Sequence, residues 1–357
     1  MFRSKKSIII LIVVVVLLTG GGFLLFGEEE EIEIPQTVEA VFIEPRPDIE
    51  LEDPYEEVDW NAYGQHYANL HTHTRNSDGV YSVPGAIDAY YDRGYEILAI
   101  ADHNYVTWPW EDYDRDPEEL GMLAIQANEI SDTHHIGSYF NDFDIDGREY
   151  SVLWGSTGEK ADISEDEVLY EIAERDGLAV FFHPGRYEKP AGYYEKFYKK
   201  YDHLVGMEVV NQRDRYPQDR AKWDDVLTML MPERPVWGFA NDDMHAPWDV
   251  GNSYNVFLLP ELTQEKFRTA MKTGQFYFSN GEGSPTLDAV NVDNDAGTVS
   301  VDVDDVKEII WISDGMVISK GDTLEFTNTA NIGSYVRAEI IGEEGITYTN
   351  PFGVIED

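Results

Sequence analysis

YANLHTHTRNSDG, residues 67–79, passes from a short apolar run into a His-x-His pair and then into an Asp-Gly turn. Period-two spacing turns both imidazoles, His71 and His73, to one side of an extended backbone. Alone, such a pair is more often two residues sharing a strand face than a metal site, and Asp78-Gly79 alone is a turn. The same pattern recurs along the chain. The run 97–101 leads into Asp102-His103-Asn104, and 123–127 leads to Asn128-Glu129, with His134-His135 soon after. The run 178–182 ends at His183-Pro184, and 236–240 leads into Asn241-Asp242-Asp243-Met244-His245. Seven of the nine histidines therefore sit at or just past the end of a strand-like run.

Between those runs, and one more at 205–210, lie punctuated helical patterns. Ser82-Val83-Pro84 opens one and Gly94 closes it; Ser164 and Glu167 form a capping-box signature with Gly177 as the stop; Thr263 and Gly274 bracket a third. Strands alternating with helices predict an α/β barrel or open sheet of parallel strands, which place their sites at the strands' C-terminal ends. After Gly281 the texture changes. Short β-type runs at 298–303, 309–312, 323–326 and 335–341 are split by Asp, Gly and Asn turns, which predicts a small antiparallel β-sandwich-like domain over 283–357.

The candidate ligands are His71, His73, Asp78, His103, Glu129, one of His134 and His135, His183, Asp243 and His245. Burying that many unpaired ionisable groups would cost several kcal/mol each, a cost that divalent cations relieve. The set exceeds the four positions of one tetrahedral zinc and suits two or three ions sharing a bridging carboxylate, with Glu129 the candidate bridge. Mixed imidazole and carboxylate donors point to Zn, Mn or Fe. Cysteine is absent, so disulfides, thiolate nucleophiles and thiolate zinc sites are excluded together. His66 and His203 fall outside the pattern and read as structural.

Composition bounds the rest. With 357 residues, against about 150 per domain, the chain has room for one large domain and a smaller one. The apolar fraction of 42% is enough for a core. Asp and Glu number 69 against 26 Lys and Arg, a net charge of −43 that repels a phosphate backbone and argues against stable nucleic-acid binding. Arg3, Lys5 and Lys6 precede an apolar stretch at 8–26, long enough at about 1.5 Å per residue to cross a hydrocarbon core of about 30 Å. Residues 1–27 therefore read as a transmembrane anchor with the N-terminus cytoplasmic and the catalytic body extracytoplasmic. A cleaved signal peptide is the competing reading, although no small-x-small site follows the run. Residues 28–60, rich in Glu, Asp and Pro, read as an extended stalk, leaving 61–282 for the barrel.

HTHTRNSDG at 71–79, ADHN at 101–104, ANEIS at 127–131 followed by HHIG, FFHP at 181–184 and NDDMH at 241–245 resemble the successive motifs of the PHP (polymerase and histidinol phosphatase) superfamily. KTGQFYFSNG at 272–281 and the terminal YTNPFGV are similar to its CehA/McbA-like metallohydrolase branch. The resemblance spans about residues 61–357. It implies a distorted seven-stranded (β/α) barrel, a centre of two or three divalent ions, and hydrolysis of phosphoesters. By motif, His71, His73, Glu129 and Asp243 would hold one ion, Glu129, His135 and His183 a second, and Asp78, His103 and His245 a third. The resemblance selects His135 over His134. Asp243 and His245 would take the catalytic roles, with Asp243 either shuttling a proton or serving only as a ligand. Arg75 and Arg186 are candidate phosphate contacts, and Arg75 within the first motif is unusual.

Three functions compete on this reading. The first is a membrane-tethered phosphoesterase acting on small phosphomonoesters or phosphodiesters, in which a hydroxide bridging two ions attacks phosphorus. The second is hydrolysis of a carbamate, ester or amide at the same centre. The third is a non-catalytic surface-binding module, against which the intact ligand set speaks.

Overall fold

Short apolar runs separated by capped helices become buried strands in this computed structural model, which describes residues 42–131, 133–145, 163–304 and 306–356. The apolar stretch at 8–26 lies outside the described residues; among those described, no helix is long and apolar enough to cross a membrane. The chain enters through β1 (Ile49–Glu52), β2 (Gly64–Asn69), α1 (Val83–Tyr91) and β3 (Ile97–Ile100). A short helix α2 (Pro117–Leu120) leads to β4 (Leu123–Ile130) and β5 (Ile136–Tyr139). Helices and strands then alternate: α3 (Glu165–Glu174), β6 (Leu178–Phe181), α4 (Ala191–Tyr198), β7 (Leu204–Asn211), α5 (Gln218–Leu230) and β8 (Trp237–Asn241). The strand β9 (Tyr254–Leu259), the helix α6 (Gln264–Thr273) and β10 (Phe276–Ser279) follow.

The helix ends form as the caps dictate. Ser82 accepts the Gly85 N–H, Ser164 and Glu167 make both bonds of a capping box, and Thr263 accepts the Lys266 N–H. Gly274 closes α6 in the left-handed region at φ 78°. Each side-chain cap contributes about 1 kcal/mol.

Strands β2 to β8 are neighbours in sequence order, parallel throughout except that β5 runs antiparallel to both β4 and β6. Beyond their ends, Thr72 and Met244 form a parallel bridge, with His73 N–H donating to the Met244 carbonyl at 2.9 Å, which brings β8 back to β2. Asparagine amides stand in for missing ladder bonds at this seam. The Asn255 side chain accepts from Ala240 N–H and donates to its carbonyl, and the Asn241 carboxamide accepts from Leu70 N–H. Seven strands thus form a distorted ring among the described residues, with one antiparallel member that the sequence runs did not indicate.

Alternate residues of a ring strand face different cores. Ile97 and Ala99 of β3 pack in the ring interior, while Leu98 and Ile100 pack with α1. The same parity carries Ile125 and Ala127 of β4 into the interior, and two residues further the inward position is Glu129. The polar site therefore begins where the apolar plug ends.

The C-terminal stretch contains β11 (Leu287–Asp293), β12 (Thr298–Val303), β13 (Glu308–Ser313), β14 (Met316–Lys320), β15 (Thr323–Glu325), β16 (Tyr335–Ile341), β17 (Ile346–Tyr348) and β18 (Phe352–Glu356). Strands β11, β12 and β15 form a small antiparallel sheet. The others do not stand apart from the ring, because β17 pairs with β10 and so joins the tail to one continuous sheet. Asp224 of α5 reinforces that junction, taking a two-pronged ion pair from the buried Arg337 of β16 at 2.8 Å for both bonds.

The stalk expectation for 28–60 needs correcting within its described part. Strand β1 pairs antiparallel with the free edge of β18, burying Ile49 and Leu51 on one face, and Tyr55 donates its hydroxyl to the Phe276 carbonyl. Alternating apolar residues within an acidic segment give this edge strand its buried face. The residues from 42 onward belong to one compact unit with the rest.

Candidate metal centre

Five strand ends deliver imidazoles and carboxylates to one place. Glu129, at the inward position of β4, is fully buried. Its Oε2 lies 2.7 Å from His103 Nδ1 and 3.4 Å from the Nε2 atoms of both His71 and His73. Its Oε1 lies 2.5 Å from His135 Nδ1 and 3.2 Å from His183 Nε2. Asp243 Oδ1 stands 3.2 Å from both His71 Nε2 and His73 Nε2. Asp78 completes the outer side, with Oδ2 3.4 Å from His103 Nε2 and Oδ1 3.2 Å from His245 Nε2. All nine candidate positions, with His135 as the sixth, meet in this cluster.

The loop that returns Asp78 depends on Gly79, where a Cβ would stand 2.3 Å from the His73 carbonyl oxygen. Two candidate ligands sit in strained backbone: His183 at φ 28° and Asp243 at φ 44°. Strain of this kind costs about 1–3 kcal/mol per residue and gathers at functional sites.

The donor set fits divalent cations. His71 Nε2, His73 Nε2 and Glu129 Oε2 are buried, face one another, and have no hydrogen-bond partner. Lone pairs converging without a proton donor between them are what a shared cation would satisfy. Groups of ligand atoms close enough to share an ion include His71, His73 and Asp243; His103, Glu129 and His135; and His73, Asp78, His103 and His245. Glu129 turns one oxygen to His71, His73 and His103 and the other to His135 and His183.

Without ions, protons take the cations' place. Burial would push the His245 imidazole down, but the carboxylates of Asp78 and Asp243 outweigh it and raise it to about 9. Burial raises Glu129 and Asp243, yet the surrounding imidazoles hold both well below the usual carboxylate range. His73 is driven down by burial and by its neighbours His245 and His103. An ion entering beside His245 must displace its proton, so affinity there falls as pH drops below about 9 and levels off above it. We expect the affinity at Asp78, His103 and His245 to rise about tenfold per pH unit for each displaced proton between pH about 6 and about 9. Competition titrations with a metal-binding dye across that range test this; a flat profile would contradict it.

His134 turns away from the cluster. Its Nε2 meets the Tyr194 hydroxyl at 3.0 Å, and its ring packs among Phe181, Tyr187 and Tyr194. Of the two arginines expected to contact substrate, Arg75 gives its Nε to the Val80 carbonyl, and Arg186 is exposed on the turn after His183. Arg215, absent from the expected set, brings Nη1 to 3.3 Å from Asp243 Oδ2. Glu208 is the other residue the strand-end pattern missed. It lies in the middle of β7, fully buried, with Oε1 2.8 Å from His71 Nδ1. A lone carboxylate inside an otherwise apolar run was the available signal.

No family model and no curated protein matches this chain. Among solved structures it is similar to a two-domain protein from Bacteroides vulgatus containing a predicted PHP-like metal-dependent phosphoesterase. The identity is 14% over 86% of this chain and 98% of that one, with a TM-score of 0.48. It is similar to an amidohydrolase from Chromobacterium violaceum at 17% identity, over 50% of this chain and 88% of that one, with a TM-score of 0.40. A third similar structure is the lesion-specific endonuclease PfuEndoQ from Pyrococcus furiosus, at 15% identity over 58% of this chain and 56% of that one, with a TM-score of 0.36. At identities this low, the chemistry rests on the side chains of this chain.

Proposed function

We propose that this protein is a metal-dependent hydrolase of phosphoesters, with its reaction centre at the Glu129 cluster. The observation that carries the reading is Glu129 itself, a buried carboxylate placed between two sets of imidazoles whose facing nitrogens include orphans. Divalent ions there would supply Lewis acidity and a water acidified to near-neutral pKa. His71, His73, Glu129 and Asp243 would hold one ion, Glu129, His135 and His183 a second, and Asp78, His103 and His245 a third. Asp243 has one oxygen toward His71 and His73 and the other accepting from Asn211 and Arg215, so it stays an ionised carboxylate whose free oxygen would hold an ion.

Arg215 favours phosphoesters over carbamates. Its guanidinium lies beside Asp243, and its side chain is about half exposed at 46%, which leaves donors for an anionic oxygen. Arg215→Ala should raise KM for p-nitrophenyl phosphate about 10- to 100-fold, the worth of a charge-assisted hydrogen bond. Arg75→Ala should change it by about twofold or less. Equal effects of the two substitutions would remove Arg215 from the site.

A panel of p-nitrophenyl phosphate, bis-p-nitrophenyl phosphate, aryl esters and aryl carbamates tests the reaction class. Turnover of either phosphate ester supports the proposal, and inertness toward both with turnover of a carbamate overturns it. Anchoring through residues 8–26, with the hydrolase outside the membrane, belongs to the same proposal. External protease digesting the body in intact cells would support that orientation, and full protection would contradict it.

A further inference from the structure

We infer that Glu208 is a positioning residue of the metal centre, fixing the ring of His71 and the backbone of His183 with one carboxylate. The inference rests on the metal-centre reading above.

All eight residues of β7 are buried, and Glu208 is the carboxylate among them. Burying such a group costs several kcal/mol unless its oxygens are satisfied. Among the described residues no lysine or arginine pairs with it. Its oxygens are met instead by four donors. His71 Nδ1 at 2.8 Å and Asn241 Nδ2 at 2.9 Å bond Oε1; His183 N–H at 2.8 Å and Asn211 Nδ2 at 3.2 Å bond Oε2. A carboxylate with four donors has used its lone-pair directions, so Glu208 does not serve as a ligand, although it lies close enough to His71 and His183 to share an ion with them.

Two consequences follow. An ionised carboxylate only accepts, so the His71 Nδ1 beside it must carry the proton. That leaves the lone pair on Nε2, the atom 3.2 Å from Asp243 and 3.4 Å from Glu129. The second consequence concerns His183, whose φ of 28° is unfavourable for any side chain bearing a Cβ. The bond from its N–H to Oε2 pins that conformation and holds the imidazole 3.2 Å from Glu129. One side chain on β7 thereby sets ligands delivered by β2 and by β6.

Glu208→Gln is nearly isosteric but has one acceptor and one donor. Whichever way the amide turns, its NH₂ faces either the His71 Nδ1–H or the His183 N–H. In the full-length variant, calorimetric titration with Zn²⁺ after chelation should show affinity about 10- to 100-fold weaker for the ions held by His71 and His183. Binding at Asp78, His103 and His245 should be unchanged, and the melting temperature should fall less in the metal-free form than in the metal-loaded form. Equal destabilisation of metal-free and metal-loaded forms, with Zn²⁺ affinity kept, would show a merely structural role and overturn the inference. Nitrogen-15 spectra of the imidazoles in the metal-loaded wild type give a check that needs no variant. A protonated Nδ1 on His71 is expected, and metal coordination through Nδ1 would overturn the inference. If the wild type itself binds no Zn²⁺, the metal-centre reading fails and this inference with it.

Discussion

Asp243→Asn and His71→Ala are each expected to lower phosphoester turnover by about a thousandfold or more while the chain stays folded. Asp243 supplies one oxygen to the gap between His71 and His73, and its other oxygen accepts from Asn211 and Arg215. Asparagine keeps the shape, removes the charge, and sets its NH₂ either against the Asn211 and Arg215 donors or into the gap between His71 and His73. His71→Ala removes the Nε2 that stands beside both Glu129 and Asp243 and leaves Glu208 without its imidazole. Neither residue is part of the apolar cores, so circular dichroism of each variant in chelator should match the metal-free wild type. Kinetics on p-nitrophenyl phosphate decide the matter. Full activity in either variant would remove that residue from the centre.

The second large effect concerns the junction between ring and tail. Arg337 is 1% exposed, and besides its paired bonds to Asp224 it reaches Glu339 Oε1 at 2.8 Å. The Tyr335 hydroxyl adds a bond of 2.6 Å to Asp224. Removing one member of such a buried pair strands the other charge, so Arg337→Met should cost about 3–5 kcal/mol of stability. Pairing that change with Asp224→Leu should recover part of the loss, because two apolar groups leave no unpaired charge behind. Urea unfolding of both variants measures this. A single variant within about 0.5 kcal/mol of wild type would mean that the pair does not bear on stability.

Most of the candidate ligands were legible because they follow apolar runs, and two pairs, His71-x-His73 and Asp243-x-His245, also keep period-two spacing. Those rules say nothing about groups that act from elsewhere. Glu208 sits inside its strand, and Arg215 lies on the loop after β7, where no periodicity marks it. Helices α4 and α5 escaped notice for a related reason. Both begin after a proline, Pro190 and Pro217, that makes no side-chain cap bond, so the usual start signal is missing. Strand β1 was hidden by composition, since the glutamates of Ile-Glu-Leu-Glu face out and swamp the buried Ile49 and Leu51. Four of the eight described strands of the tail, β12, β13, β15 and β16, were readable from their β-type runs. That the tail would share a sheet with the ring through β10 and β17 depends on long-range pairing that no local pattern encodes.

In the function proposed for this protein, the Glu129 cluster holds metal ions and catalysis depends on them. Elemental analysis of the dialysed full-length protein, with phosphoester turnover followed through chelation and re-addition of Zn²⁺ or Mn²⁺, tests it most directly. Two or three ions per chain are expected, with turnover lost on their removal and recovered on their return. A chain holding fewer than two ions, or one that keeps full activity after exhaustive chelation, would contradict it.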